Sequence, residues 1–288
     1  MKPSVSSYSF QQLLSSGKAR PVDLIGLAKR LGFAAIEYTD IRPADGLTAE
    51  ETACILREES EKQGLPIINY TVGADFLKAP SIGQEIERLC EQVEIAKLLG
   101  ATGMRHDASG GFPAPQSRVK GFAQALPLLA EGCRAVTEYA AKRGIATMVE
   151  NHGFFCQDSL RVAALVAQVG HENFGALVDI GNFLCADEAP ALATGNVAPF
   201  AKHVHAKDFH IKSGAEDAPG EGYFLSRSGN YLRGAILGHG CVPVRQCLGI
   251  LKRQGYQGYV SIEFEGMEDC ETALRIGCAN LRRTIEAL

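Results

Sequence analysis

One unit recurs along this chain: a helical stretch, a glycine, then a short apolar strand. The phrases RLGFAAIEY, KLLGATGMRH, KRGIATMVEN and RQGYQGYVSIEFE all take this form. Gly32, Gly64, Gly100, Gly144 and Gly255 stand where a helix would stop in the left-handed conformation that glycine adopts without penalty. Strand patterns cover residues 5–10, 34–38, 66–72, 102–106, 145–150, 174–179, 203–207 and 259–264. Helical patterns alternate with them over 21–31, 48–63, 84–99, 116–143, 160–169, 189–197, 244–254 and 270–287, the second opening with the capping-box pair Thr48 and Glu51. Eight such units point to an α/β fold with a single (β/α)8 TIM barrel, since a doubly wound sheet would more often stop at five or six strands. No GxGxxG follows the first strand and no GxxxxGK[ST] occurs, so the nucleotide-binding alternatives lack their phosphate turns.

The pattern predicts one domain over residues 1–288, broken once. Residues 209–242 form a Gly-rich connection after the seventh strand, long enough to be read as a loop over the C-terminal mouth of the barrel. The formal charge of −4, without a basic run, argues against a nucleic-acid partner. No window approaches the roughly 18 apolar residues of a membrane span, and the opening MKPSVSSYSF has no signal-peptide core. Nine scattered cysteines without a CxxC pair read as reduced thiols in a cytoplasmic protein.

Active sites of such barrels gather at the C-terminal strand ends. Here the last four strands finish in Glu150-Asn151-His152, Asp179-Ile180-Gly181-Asn182, His205-Ala206-Lys207-Asp208 and Glu263-Phe264-Glu265. Glu150, Asp179, His205 and Glu263 would bring three carboxylates and an imidazole into one low-dielectric cavity. Like charges at that range need a compensating cation. Three oxygen donors and one nitrogen suit a divalent ion, Mn²⁺ first, with Mg²⁺, Co²⁺ or Zn²⁺ as alternatives.

The segments VENHG, VDIGN, HVHAKD and GYVSIEFEG, with the early GFAAIEY, resemble the xylose-isomerase-like TIM-barrel superfamily across essentially the whole chain. That superfamily includes sugar and sugar-phosphate isomerases and epimerases, inosose dehydratases and endonuclease IV. The resemblance implies a metal held by Glu150, Asp179, His205 and Glu263, with Glu150 and Glu263 as the proton-transfer pair. It implies a metal-dependent ketose or sugar-phosphate isomerase or epimerase acting through an enediolate on a small-molecule sugar or keto-polyol, and self-association into a homo-oligomer. The chain departs from the epimerase pattern where Asn182 replaces a His, Cys156 a Glu and Ile211 an Arg. Those departures keep open an inosose-type dehydratase, in which the same enolate expels a β-hydroxyl. An endonuclease-IV-like phosphodiesterase would need a trinuclear cluster richer in His than this chain's seven allow.

Further candidates follow from strand parity. Lys207 shares the parity of His205 and would stabilise an enolate or a leaving hydroxyl. His152 and Asn182 are candidate substrate contacts. At the end of the fourth strand only one parity can face inward, and His106 is taken as the contact there, in preference to Arg105. Glu37 and Tyr38 are expected at the rim.

Overall fold

The computed structural model describes residues 1–41, 43 and 46–288. Eight parallel strands close into a barrel: β1 (Lys2–Ser6), β2 (Ile36–Thr39), β3 (Ile67–Val72), β4 (Gly103–His106), β5 (Ala146–Glu150), β6 (Phe174–Asp179), β7 (Ala201–Ala206) and a last strand near the C-terminus (Tyr259–Ile262) that pairs with β1 and β7. Helices fill the crossovers, so the protein folds as a (β/α)8 barrel. Each forms where its apolar face can meet the outward strand residues. In the helix Ala49–Gln63, the Thr48 hydroxyl accepts from the Glu51 amide while the Glu51 carboxylate accepts from the Thr48 amide, and the helix ends in Gly64 at φ 64°. Leu89 and Val93 of the helix Ile82–Leu98, and Leu129 and Val136 of Phe122–Ala141, lie in one core with the outward-facing Val149, Val178 and Val204.

Two features differ from the sequence expectation. The first strand is Lys2–Ser6 rather than residues 5–10, and Ser7–Phe10 forms a single 3-10 turn. Its inward residues are small and polar: Ser4 hydroxyl-bonds Ser261 across the barrel wall at 2.8 Å, so no apolar alternation marks it. Residues 209–242 are not a structureless connection. Three strands, β8 (Asp208–Lys212), β9 (Phe224–Leu225) and β10 (Tyr231–Ala235), make an antiparallel sheet in the order β8-β10-β9. Most of the glycines and serines that suggest a loop occupy its turns, while Phe209 of β8 and Leu232 of β10 pack into a small buried apolar cluster with Cys185. Asp208 anchors its return: its carboxylate accepts from the amides of Gly238, Gly240 and Val242. A Cβ at Gly240 would come within 2.2 Å of that carboxylate, which explains glycine there. The last strand of the barrel, Tyr259–Ile262, is therefore β11.

Among the described residues, no helix is long and apolar enough to cross a membrane.

Candidate metal centre and active site

The register of the parallel strands decides which side chains enter the barrel. Residues paired across neighbouring strands share a face, and Arg105 pairs with Met148, two residues before Glu150 on the same face. Gly103, two residues before Arg105, lies where a Cβ would meet Asn69 Oδ1 at 2.8 Å and Met148 Cε at 2.9 Å. Its bareness lets those two interior side chains meet.

Glu150, Asp179, His205 and Glu263 come together at the mouth of this interior, each offering one donor atom, all within 4.8 Å of one another. His205 Nδ1 lies 3.6 Å from Glu150 Oε1, 3.9 Å from Asp179 Oδ2 and 3.7 Å from Glu263 Oε1. The second atom of every one of these groups is tied elsewhere. Asp179 Oδ1 accepts from the amides of Gly181 and Asn182. Glu150 Oε2 meets Arg105 at 2.6 Å, Glu263 Oε2 meets Lys207 at 2.7 Å, and His205 Nε2 meets Glu37 Oε1 at 2.5 Å. Four remaining atoms thus face one shared space.

That space fits a cation. Asp179 Oδ2 and His205 Nδ1 are buried without any hydrogen-bond partner, a costly state that a bound ion would relieve. Ion–donor bonds of about 2.0–2.6 Å place neighbouring donors about 3–4 Å apart, the range of the three distances from His205 Nδ1. The buried acid and histidine cluster can therefore hold a metal ion, and the donor chemistry of three oxygens and one imidazole favours a divalent one.

Charges around the cluster are strongly mutual. Burial pushes the Asp179 carboxyl up to about 6. Burial also acts against ionised Glu263, but the neighbouring Lys207 and His205 overcome it and hold its carboxyl well below the usual range. Lys207 is itself buried, yet Glu263, Glu265 and Asp179 keep its ammonium charged well beyond the ordinary range. Lys207 and Arg105 thus supply part of the compensation that the strand-end carboxylates alone assign wholly to a metal.

A cavity of about 340 Å³ opens beside the cluster. Lys207, Asn182, Gln157, His152 and Glu265 give it polar walls, and Tyr8, Phe154 and Phe224 give it an aromatic rim, the last contributed by the small sheet. Asn182 bridges the site: its Nδ2 donates to Glu150 Oε1 at 3.0 Å, and its Oδ1 accepts from Lys207 at 3.2 Å. His152 is exposed, with Nδ1 3.0 Å from Asp107 Oδ1. Against the partial desolvation by the surrounding protein, the Asp107 carboxylate beside it favours the charged ring and leaves its pKa raised.

Two expectations are corrected here. His106 is not a substrate contact: it is fully buried on the outward face of β4, between Phe76 and Phe174, with ring centroids 6.1 and 6.2 Å away. Arg105 takes the inward place, bound to Glu150 and Asp107. His106→Phe, which preserves that aromatic packing, is expected to shift stability by about 1 kcal/mol at most and to leave kcat/KM unchanged. A steady-state assay beside a thermal melt checks this, and a collapse of kcat at normal stability would restore His106 to the site. Glu37 is not at the rim either. It is fully buried inside the barrel, beneath His205. An acid set among apolar residues in a strand, as in AAIEY, signals such a partnered interior position.

The sequence profile of the xylose isomerase-like TIM barrel family matches residues 25–284. An inosose dehydratase of Clostridium beijerinckii is 23% identical over 175 residues, covering 59% of this chain and 58% of that protein. The match thus spans little more than half the length of that curated relative. The probable 3-DHS dehydratase AsbF of Bacillus anthracis superposes with a TM-score of 0.73 at 19% identity, covering 98% of this chain and 99% of the other. A D-psicose 3-epimerase, solved in the presence of D-fructose, superposes at 0.72 and 16% identity, covering 99% of each chain.

Proposed function

Because the chain belongs to the xylose isomerase-like TIM barrel family, we propose that it is a divalent-metal-dependent isomerase or epimerase of a ketose or related keto-polyol. The observation that carries this is the set of four donor atoms gathered around one space beside a polar-walled cavity. A cation held by Glu150, Asp179, His205 and Glu263 would polarise a ketone and its neighbouring hydroxyl and acidify the C–H beside the carbonyl.

The protein's own groups do the rest. Glu150 and Glu263 stand on β5 and just beyond β11, with β6 and β7 between them, so they border the space from different sides. One can remove a proton from the carbon and the other return it. Burial opposes both charges, yet Arg105 holds Glu150 ionised and Lys207 and His205 hold Glu263 ionised, so both start as carboxylates and either can act as the base. Lys207, charged and 3.2 Å from Asn182, can hold the oxyanion as it develops.

Charge narrows the substrate. Among the described residues, the cations around the cavity are already paired: Lys207 with Glu263, Asp179 and Glu265, Arg105 with Glu150 and Asp107, Arg227 with Asp158. A phosphate entering the mouth would face the Glu265 and Asp107 carboxylates without a guanidinium or ammonium of its own. An uncharged ketone, with hydroxyls on the polar wall and a ring face on Phe154 or Tyr8, suits the site better than a sugar phosphate.

A dehydratase is the second reading, and Lys207 favours it. An ammonium beside the enolate can protonate a departing β-hydroxyl, and two of the relatives above are named dehydratases.

The test is solvent exchange. Protein loaded with Mn²⁺ or Mg²⁺ in D₂O is expected to place deuterium on the carbon beside the carbonyl of a neutral ketose or inosose, and not of the matching phosphate. Absorbance of an enone product would mark the dehydratase. Absence of exchange across neutral and phosphorylated ketones, at full metal occupancy, would sink the proposal.

A further inference from the structure

Beneath the four-residue cluster, His205 is shared with a second buried group whose other members, Glu37 and His203, the proposed chemistry does not use. Its contacts form a continuous strut through the barrel interior. Glu37 Oε1 stands 2.5 Å from His205 Nε2. Glu37 Oε2 is 3.0 Å from His203 Nε2 and accepts from Asn69 Nδ2 at 3.3 Å. His203 Nε2 is also 3.0 Å from the Ser261 hydroxyl, which bonds the Ser4 hydroxyl at 2.8 Å. Every member is buried. The strut runs from β2 through β3, β7, β11 and β1, so five strands of the barrel fix where Glu37 sits.

A second metal ion would be one use for two imidazoles and a carboxylate, but the spacing argues against it. Donors on one ion stand about 3 Å apart or more, whereas His205 Nε2 and Glu37 Oε1, 2.5 Å apart, are close enough only to share a hydrogen bond. In such a bond His205 Nε2 must carry the proton, because a carboxylate only accepts. Nδ1 is then the nitrogen that yields its proton to an incoming ion and offers its lone pair, and it is the atom buried without a hydrogen-bond partner toward Asp179, Glu150 and Glu263.

We propose that Glu37 is a positioning residue, held by His203, Asn69 and the serine pair, that fixes the tautomer and ring orientation of His205 so that Nδ1 is its metal-donating atom. Carboxylates behind metal-binding imidazoles act in this way generally, and their loss typically weakens metal binding about 10–100-fold. The inference rests on reading the upper cluster as a cation site, so the experiment separates the two claims.

Two measurements test it. Mn²⁺ affinity is compared between the wild-type chain and Glu37→Gln, which keeps the shape and a carbonyl acceptor but removes the charge. The expected result is one ion per chain in both and an affinity about 10–100-fold weaker in the variant. The second needs no variant: long-range ¹⁵N–¹H spectra of the Mg²⁺-loaded wild type are expected to show the His205 proton on Nε2. Equal affinities, or a His205 proton on Nδ1, overturn the positioning role while leaving the upper site standing. Two ions per chain, one of them lost in Glu37→Gln, overturn it in favour of a second metal site. Failure of the wild type to bind any ion removes the cluster reading itself, and the present inference with it.

Discussion

Glu150→Gln is expected to lower kcat/KM by about 10³-fold or more, because one change removes a metal donor and one of the two proton-transfer groups. The binding readout separates these losses. At an ion concentration about 100 times its dissociation constant, the wild-type chain gains about 2.7 kcal/mol of stability, whereas the variant gains little at the same concentration. The variant should remain folded, since Arg105 keeps Asp107 as a partner at 2.9 Å. Thermal melts with and without Mn²⁺ read the effect directly. A Glu150→Gln protein that melts and turns over like the wild type would mean that the four donor atoms are an ordinary buried polar cluster. The pH dependence has a definite sign. In the metal-free protein the Asp179 carboxyl is pushed up to about 6 by burial, and His205, though burial opposes its charge, is kept protonated far above the usual imidazole range by Glu37 and Glu263. An incoming ion must displace those protons, so affinity falls as pH drops through 6 and rises above it.

The parts of this site that could be read from sequence are those whose meaning depends on strand ends alone. Glu150, Asp179 and His205 lie on strands, and Glu263 just past one, in a region where apolar patterning and helix-ending glycines mark each unit. The parts that escaped depend on contacts between strands distant in sequence. β4 is only four residues long, so alternation within it cannot decide between Arg105 and His106, and only its register against Met148 on β5 does. The first strand lies earlier than its pattern suggests because its inward residues are serines bonded to an interior polar strut, while Tyr8 and Phe10 after it belong to a turn. Glu37 was assigned to the rim for a related reason: what buries it is a pair of histidines more than 160 residues further along the chain. The small sheet follows the same logic, since strands of five, two and five residues set between Gly-rich turns are too short to carry a periodic side-chain signal. Polar interiors are thus where alternation misleads, and in this barrel the polar interior is the functional part.

Lys207→Met separates an electrostatic partner from a group that acts on substrate. Methionine keeps the length of the side chain and its packing but removes an ammonium that now faces Glu263 at 2.7 Å, Glu265 at 3.4 Å and Asp179 at 3.5 Å. Breaking one side of a buried ion pair costs about 3–5 kcal/mol, so the metal-free variant should melt far below the wild type. A divalent ion placed among the same carboxylates supplies the missing positive charge, and the gap should narrow when Mn²⁺ is added. Turnover should not recover with stability. If the ammonium holds the oxyanion or protonates a leaving hydroxyl, product formation stays about 10²–10⁴-fold below wild type even in the metal-loaded, fully folded variant. Solvent deuterium exchange then divides the two roles. Exchange that falls together with product formation assigns Lys207 to the enolate, as an isomerase or epimerase requires. Exchange that persists while loss of water stops assigns it to the leaving group, as a dehydratase requires. Normal turnover in the metal-loaded variant would show that Lys207 does no more than balance the charge of its three carboxylates.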